Sequence, residues 1–263
     1  MNYSAKKSLG QNFLIDKNII EKIVNFIDIK DKSILEIGPG TGNLTSSLIE
    51  KNPKKFFVIE KDNNLASLLE TQFRDKITII NDDVLKINEK FLCKDRLIVF
   101  GNLPYNISTE ILCKWILNLE NENIWFDNLI LMFQKEVADR IISKHNTSNY
   151  GRLSIIANWK LEIKKIIDIK PYSFKPRPKI DSSLLVFTPR TNFKKICSEK
   201  SLEIITRTFF NQRRKKIKKS FNQLFKNSEQ IAEKLNIDLN LRPQNLDIDT
   251  YLLIAKEFET SRS

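Results

Sequence analysis

The sequence has few of the residues that build metal centres, disulfide frameworks and hydrolytic relays. Its 263 residues include three cysteines and one histidine. Cys93, Cys113 and Cys197 are far apart and form no Cys-x-x-Cys pair, which argues against a disulfide framework and a zinc site. A Ser-His-Asp relay would have to use His145, which stands in a polar run without a nucleophile elbow. The composition therefore argues against hydrolase chemistry and predicts no metal site.

Long apolar runs are also missing. The longest uncharged apolar stretch, residues 128–133, is far shorter than the ~20 residues that a transmembrane helix needs. The first residues lack the apolar core of a signal peptide, so we expect a cytoplasmic protein. Hydrophobic residues at 41% and charged residues at 29% are typical of a folded globular chain. The length suits one large domain joined to a smaller one.

The charge is strongly unbalanced. Forty-four Lys and Arg residues against thirty-two Asp and Glu residues leave a net charge of +12. Such an excess favours a polyanionic partner, and nucleic acid is the first candidate. The alternative is compositional drift, because the chain is rich in Lys, Ile and Asn throughout, as AT-rich coding would produce.

Short apolar runs alternate with helix-length amphipathic segments through the first two thirds of the chain. The runs occupy residues 33–37, 56–60, 77–81, 97–101, 129–133, 161–169 and 184–188. Asp16 can cap a helix before the first run, and residues 134–145 are typical of another helix. Strands that are buried on both faces have this pattern, so it predicts an α/β domain with a doubly wound parallel sheet.

The pattern changes after Pro189. Apolar residues then recur only at helical spacing, in segments 204–210, 217–225, 231–235 and 251–258. We therefore predict two domains, one at 1–189 that contains the sheet and one at 190–263 that is helical.

The first apolar run leads into a glycine-rich turn with Gly38, Gly40 and Gly42. Glycines let the backbone approach a ligand closely. Glu60 closes the second run and Asp83 follows the third. A carboxylate at the end of the second strand can accept hydrogen bonds from both ribose hydroxyls, and one after the third strand can accept a hydrogen bond from the amine of adenine. Together these residues predict an adenosine site.

Other interpretations of these residues are simpler. The two acids could merely cap helices, although Asp62 is the more obvious cap, and Asp82 competes with Asp83 for the adenine role. The Gly-x-Gly-x-Gly spacing also differs from the Gly-x-Gly-x-x-Gly of dinucleotide sites, and the Lys-Ser/Thr of a phosphate loop is missing.

A second motif, Asn102-Leu103-Pro104-Tyr105, follows the fourth run, at the edge where such sheets bind ligands. An amino group on a base is a poor nucleophile because its lone pair is delocalised into the ring. The Asn102 side-chain oxygen and a main-chain carbonyl in a turn preorganised by Pro104 can accept both amine hydrogens, while Tyr105 stacks on an extruded base. The alternative is an ordinary turn with a buried tyrosine.

These motifs occur in one order with three others. The set is Gln11-Asn12-Phe13-Leu14, Glu36 to Gly42, Asn102 to Tyr105, Tyr150-Gly151-Arg152-Leu153-Ser154 and Phe174 to Ser182. Taken together they resemble the small-subunit ribosomal RNA adenine dimethyltransferases. The resemblance implies a Rossmann-like class I methyltransferase domain with a small C-terminal all-helical domain. It implies transfer of methyl groups from S-adenosylmethionine to two adjacent adenines in the 3′-terminal hairpin of 16S rRNA.

The same resemblance implies roles for individual residues. The expected catalytic residues are Asn102, Pro104 and Tyr105. The residues expected to contact the cofactor are Asn12, Leu14, Gly38, Gly40, Glu60, Asp83 and Asn102. The expected partner is small-subunit rRNA within an immature ribosomal small subunit, and we expect a monomer that does not bind membranes.

Two further features point to RNA. The resemblance makes Phe174 the second aromatic face of the target-base pocket, with Pro176 and Pro178 stiffening its loop, although that loop could be only a polyproline-like connector. The stretch from Arg207 to Lys219 contains no acid, and Arg213, Arg214 and their lysine neighbours can face a phosphate backbone. A charged run of this kind could also be only a solvated face.

Three other functions stay open on the sequence. The related methyltransferases that act on large-subunit rRNA share the glycine turn, an Asn-x-Pro-Tyr motif and the helical domain. A noncatalytic RNA-binding assembly or transcription factor could keep the same fold. DNA adenine methylation is disfavoured, because those enzymes usually carry an Asp-Pro-Pro-Tyr type motif in place of residues 102–105.

Overall fold

The computed structural model describes residues 5–6 and 10–261, which form two compact units. The sheet unit contains the described residues up to Ala138 together with Leu161–Pro189. The helical unit contains Asp139–Lys160 and the described residues from Arg190 onward. The predicted boundary after Pro189 coincides with one passage of the chain between the units. Residues 139–160 differ from the prediction, because they lie in the helical unit.

A central sheet organises the first unit. The strands are β1 (Phe13–Leu14), β2 (Ser33–Ile37), β3 (Lys55–Ile59), β4 (Thr78–Ile80), β5 (Leu97–Asn102), β6 (Phe126–Gln134), β7 (Leu161–Ile169), β8 (Phe174–Lys175) and β9 (Ser182–Pro189). Seven strands pair in the order β4-β3-β2-β5-β6-β9-β7, and β1 pairs with β8. The first five in that order are parallel, whereas β9 runs antiparallel to both β6 and β7. The predicted α/β, Rossmann-like class is confirmed.

The helices cover the sheet or form the second unit. They are α1 (Lys17–Val24), α2 (Asn43–Ile49), α3 (Asn63–Phe73), α4 (Ser108–Leu117), α5 (Lys135–Ile141), α6 (Arg152–Lys160), α7 (Glu199–Phe210), α8 (Lys218–Leu224), α9 (Ser228–Lys234) and α10 (Ile248–Thr260). Asp16 caps α1 as predicted, accepting bonds from the amides of Asn18 and Ile19. Asp62 caps α3, so Glu60 does not serve as its cap.

Burial explains why the strands are recognisable in the sequence. All five residues of β2 are buried, and β5 is buried up to its last residue. Parallel strands covered by helices on both faces need apolar residues at almost every position, which produces continuous apolar runs. The parallel strands end at one edge of the sheet, and the turns after β2, β3, β4 and β5 meet there.

The helical unit has an aromatic core. The ring of Tyr251 on α10 lies 5.7 Å from Phe209 and 6.1 Å from Phe210, measured between centroids. Phe221 on α8 packs edge-on against Phe209 at 6.3 Å. These contacts join three helices whose apolar residues recur at helical spacing, as the sequence predicted for this part of the chain.

Helix α6 is a helix that the sequence pattern did not predict. Six of its nine residues are buried, and they include Ser154, Ala157 and Lys160 as well as large apolar side chains. A helix that is buried on most sides has no polar face and therefore no amphipathic period.

None of the helices in the described part of the chain combines the length and the hydrophobicity of a membrane-spanning segment.

Candidate active site

A cavity of about 250 Å³ opens at the carboxyl ends of the parallel strands. It lies entirely within the sheet unit. Nine of the residues singled out in the sequence line it, namely Asn12, Leu14, Gly38, Gly40, Glu60, Asp83, Asn102, Pro104 and Tyr105. The structure therefore brings all of the predicted cofactor-binding and catalytic residues together.

The glycine-rich turn forms one wall. Gly38 and Gly40 have φ angles of 63° and 60°, in the left-handed region that other residues rarely adopt. A side chain on Gly40 would place its Cβ 2.6 Å from the ring of Phe13. A Cβ on Gly38 would lie 3.9 Å from the main-chain oxygen of Asn102, in space that the cavity uses. The turn thus leaves space for the cavity beyond the ends of β2 and β5.

Glu60 stands beside this turn and is buried. Its Oε2 accepts a bond from the Gly40 amide at 3.2 Å, and its Oε1 accepts one from the Asp62 amide at 2.8 Å. Burial raises the pKa of Glu60, while the backbone donors work in the opposite direction. Each carboxylate oxygen can accept more than one bond, so the fixed side chain retains acceptor capacity toward the cavity.

Asp83 lies in the loop after β4. Its Oδ2 is 2.7 Å from the ammonium of Lys61, and its Oδ1 accepts a bond from the Leu85 amide at 3.0 Å. Lys61 is the main cause of the lowered pKa of Asp83, so this side chain is an ionised acceptor. Asp82 also lines the cavity, and its Oδ1 accepts the Asp83 amide at 2.7 Å. The sequence reasoning missed the partner Lys61, although it directly follows Glu60.

Asn102 ends β5, and its side chain is held in one orientation. Its Nδ2 donates to the main-chain oxygen of Asn12 at 2.6 Å. A carbonyl acceptor requires the amide nitrogen on that side, so Oδ1 is directed away from it. The Pro104 carbonyl accepts a bond from the Ile107 amide at 3.1 Å, which closes the turn immediately before α4.

Tyr105 is anchored at its hydroxyl. The phenol oxygen lies 2.6 Å from the Oγ of Ser182, at the first residue of β9. Burial raises the pKa of Tyr105, so the phenol stays neutral at ordinary pH and does not serve as a base. Ser182 ends the motif that begins at Phe174, but the sequence does not predict its contact with Tyr105.

The N-terminal arm completes the cavity through β1. Leu14 pairs with Phe174 and Phe13 with Lys175, so the arm is held by a strand more than half the chain away. The main-chain oxygen of Leu14 also accepts a bond from the Asn43 side chain at 2.8 Å.

Phe174 itself faces the interior. Its side chain is 1% exposed and belongs to the main core cluster of the sheet unit. The structure does not bring it into the cavity lining beside Tyr105. A role as the second aromatic face would require the ring to leave this cluster, and that role stays a prediction.

Arg213 and Arg214 lie in the helical unit, in the turns between α7 and α8. Arg214 is exposed, whereas Arg213 is half-buried and donates to the main-chain oxygen of Ser148. The neighbouring Phe209, Ile217 and Phe221 are buried. The apolar residues of this stretch therefore face inward and most of its basic residues are exposed, and residues 211–217 lie between the two helices.

Glu36 was not assigned any role, although it lies next to the cavity turn. It is 2% exposed, and its Oε2 accepts a bond from the Thr45 hydroxyl at 2.7 Å. Burial, reinforced by the nearby Glu60, raises its pKa to about 8. Glu36 is therefore mostly protonated at neutral pH.

In the described residues, no group of three or more His, Cys, Asp or Glu could hold a metal ion.

The cavity fits S-adenosylmethionine in its chemistry. Glu60 and Asp83 are fixed acceptors suited to ribose hydroxyls and an exocyclic amine, and the turn at Gly38 and Gly40 admits a ligand close to the backbone. Asn102 adds an oriented amide at the opposite wall.

Comparisons with known proteins identify the family. The family model "Ribosomal RNA adenine dimethylase" matches residues 2–260. Ribosomal RNA small subunit methyltransferase A of Pelagibacter ubique (strain HTCC1062) is 63% identical over 262 residues, which cover 100% of both chains.

Two solved structures support the fold. A dimethyladenosine transferase from Plasmodium falciparum is 26% identical with a TM-score of 0.76, covering 95% of this chain and 98% of that chain. The 23S rRNA methyltransferase ErmE is 21% identical with a TM-score of 0.68, covering 94% of this chain and 100% of that chain. The predicted enzyme class and methyl donor, an S-adenosylmethionine-dependent rRNA methyltransferase, are confirmed. With a match over nearly its whole length, this chain belongs to the ribosomal RNA adenine dimethylase family.

Proposed function

We propose that the protein dimethylates the exocyclic amino groups of two adjacent adenines in the 3′-terminal hairpin of 16S rRNA. The observation that carries the proposal is the position of the Asn102 amide, which lines the same cavity as Glu60 and Asp83 and is held in one orientation by Asn12. The 63% identity to a small-subunit methyltransferase favours this substrate over the other RNA and DNA substrates considered.

The acceptors at the strand ends hold the methyl donor. S-adenosylmethionine supplies a methyl group activated by the sulfonium to which it is bonded. Glu60 accepts hydrogen bonds from the ribose hydroxyls, and Asp83 accepts a hydrogen bond from the adenine amine of the donor. Asn12 and Leu14 close this side of the cavity from the N-terminal arm. The glycine turn lets the backbone come into contact with the donor.

The turn after β5 prepares the target amine. Asn102 Oδ1 and a main-chain carbonyl of the turn accept its two hydrogens, which favours a tetrahedral nitrogen with a localised lone pair. Pro104 keeps that turn rigid. Tyr105 stacks on the extruded base, and Phe174 supplies the opposite face once its ring turns out of the core. Positive charge that develops on the nitrogen is stabilised by these fixed acceptors, and the methylated amine then releases one proton to solvent, so no strong base is needed.

RNA positioning belongs to the helical unit. Arg213 and Arg214 stand in a stretch that contains no acid from Ile204 to Ser228. Contacts to phosphates fix register without reading the base sequence. We expect the partner to be rRNA in an immature small subunit, and the protein to act in the cytoplasm as a monomer.

Mass spectrometry of rRNA provides the test. Immature small subunits and large subunits are incubated separately with the protein and S-adenosylmethionine, and their rRNA is digested and sequenced by mass. The expected result is dimethyladenine at two adjacent positions near the 3′ end of 16S rRNA. Modification of 23S rRNA alone, or no methyl transfer to either RNA, would overturn the proposal.

A further inference from the structure

One lysine outside the cavity holds the loop that forms its wall. The Lys114 ammonium, on α4, donates to the main-chain oxygen of Val84 at 2.7 Å and to that of Ile87. It also donates to Glu89 Oε1 at 2.9 Å. An ammonium has three donors, and all three are directed to the loop after β4.

Glu89 strengthens the same connection. It is 4% exposed, and its Oε1 also accepts a bond from the indole nitrogen of Trp115 at 2.8 Å. Adjacent residues of α4 therefore bind one buried carboxylate. Removing Lys114 would leave this charge without its counterion and would take one donor away from each of two loop carbonyls, which is costly in a buried setting.

Apart from Lys114, the segment from Val84 to Ile87 has few hydrogen bonds to the rest of the unit, although Lys61 holds Asp83 at the start of the loop. β4 is three residues long and lies at the edge of the sheet, with β3 as its neighbour. Within the loop, the amides of Lys86 and Ile87 bond only to nearby carbonyls, those of Asp83 and Val84. Bonds of this local kind shape a turn but do not fix its position relative to the rest of the unit.

The position of α4 gives the contact its significance. This helix begins at Ser108, directly after the turn that contains Asn102 and Tyr105. The loop held by Lys114 carries Asp83 and Leu85, which line the opposite part of the cavity. The Lys114 contacts thus join the two walls, one assigned to the adenine of the donor and the other to the target amine.

We propose that Lys114, with Glu89 as its counterion, is a positioning residue for the methyl donor. It sets the distance of the Asp83–Leu85 segment from the turn at Asn102, although Lys114 itself is not among the described residues that line the cavity. This inference rests on the proposed function, because it uses the assignment of Asp83 to the donor.

The chain offers a matched control. Lys90 lies in the same loop and pairs with Glu120 at 4.0 Å, and its side chain is 18% exposed, against 20% for Lys114. The two lysines differ in what they hold, since Lys90 pairs with an exposed glutamate, whereas Lys114 also binds loop carbonyls. Replacing either lysine removes one positive charge from a side chain of similar exposure.

Initial rates of methyl transfer separate positioning from general loss of structure. Lys114→Met should raise KM for S-adenosylmethionine about tenfold, with kcat and the KM for RNA changed by less than about twofold. A merely structural role would lower the fraction of active enzyme, and so kcat, without moving KM. Lys90→Met should leave all three constants within about twofold of the parent protein. An unchanged KM for the donor in Lys114→Met, or an equal rise in both variants, overturns the inference.

Binding of S-adenosylhomocysteine, measured by calorimetry, keeps the test independent of RNA chemistry. Should Lys114→Met not fold, Glu89→Gln decides, because it retains an acceptor for Trp115 while removing the buried charge. We expect this variant to bind the ligand more weakly than Lys90→Met does, and equal affinity overturns the inference. If the parent protein binds the ligand but does not methylate rRNA, the proposed function fails while the affinity comparison still decides the role of Lys114.

Discussion

The phenol oxygen of Tyr105 and the hydroxyl of Ser182 lie 2.6 Å apart, which joins the turn after β5 to the first residue of β9. The bond fixes the far end of an aromatic ring whose other end is set by the backbone of the turn. A ring with both ends fixed is a rigid surface on which a base can stack. Ser182 therefore supports the target side of the cavity although it does not line it.

We expect Ser182→Ala to lower kcat/KM for RNA about tenfold, because the tyrosine ring loses its anchor. Tyr105→Phe removes the same bond, so the double variant should be no worse than the more impaired single variant. Ser183→Ala is the control, because Ser183 is equally buried but bonds to Asp168 at 2.6 Å. Additive losses in the double variant would contradict this coupling.

Replacing Asn102 separates chemistry from cofactor binding. Asn102→Ala should reduce kcat by about 10²-fold or more, because an oriented acceptor of the target amine is lost. Affinity for S-adenosylhomocysteine should fall much less, since Glu60 and Asp83 remain. Calorimetry and single-turnover methyl transfer measure the two effects. Full dimethylation by this variant would refute the role assigned to Asn102.

The glycine turn predicts a contrast between two Gly→Ala substitutions. Gly40→Ala combines a positive φ with a Cβ only 2.6 Å from the Phe13 ring, so the free energy of unfolding should fall by about 1–3 kcal/mol and donor affinity should fall as well. At Gly151 the nearest atom to a new Cβ is 4.0 Å away, and Gly151→Ala should change stability by about 0.5 kcal/mol or less. Urea unfolding of both variants checks the contrast.

Glu36 predicts a pH dependence of stability. Its pKa is about 8 in the folded protein, against an ordinary value of 4.5. Between these values the folded state binds more protons than the unfolded state, so Glu36 makes stability decrease as pH rises. In Glu36→Gln the side chain is neutral throughout, and the slope should become less negative by up to about 1.4 kcal/mol per pH unit.

Urea unfolding across this pH range tests the sign. Glu110→Gln is the control, because Glu110 is an exposed glutamate in the first turn of α4. Parallel stability curves for Glu36→Gln and the parent protein would show that Glu36 is not the protonated group.

The salt dependence of RNA binding tests the basic stretch. Arg214 is exposed, and Arg214→Gln should reduce the slope of log K against log salt concentration by about 0.7–0.9 for one lost phosphate contact. Lys234→Gln is the control, because Lys234 is already paired with Glu257 at 2.8 Å. An unchanged slope for Arg214→Gln would mean that this stretch is only a solvated face.

Much of the sheet unit could be predicted, because strands that are buried on both faces have continuous apolar sequences. The runs at 33–37 and 161–169 coincide with β2 and β7, and the other five runs differ from their strands mainly at the ends. The ladder between β1 and β8 has two residues in each strand, which is too short for a periodic pattern, and its partners are distant in sequence. Helix α6 was missed because burial on most sides removes its amphipathic period.

The site residues could be predicted from motifs, but their partners could not. Glu60 and Asp83 stand at strand ends, where topology alone brings them together. The contacts of Asp83 with Lys61, of Tyr105 with Ser182 and of Lys114 with the loop depend on side-chain directions that one sequence does not encode as a pattern. The motif likewise does not show that the Phe174 ring belongs to the core, and its role in the target pocket stays a prediction.

The pairing of β1 with β8 bears on how the protein matures during translation. Asn12 and Leu14 emerge from the ribosome early, yet the strand that holds this arm contains Phe174 and Lys175. The nascent chain must therefore extend past residue 175 before the arm can dock. Donor binding should consequently be acquired late in vectorial synthesis, after the strands that carry Glu60 and Asn102 have already been made.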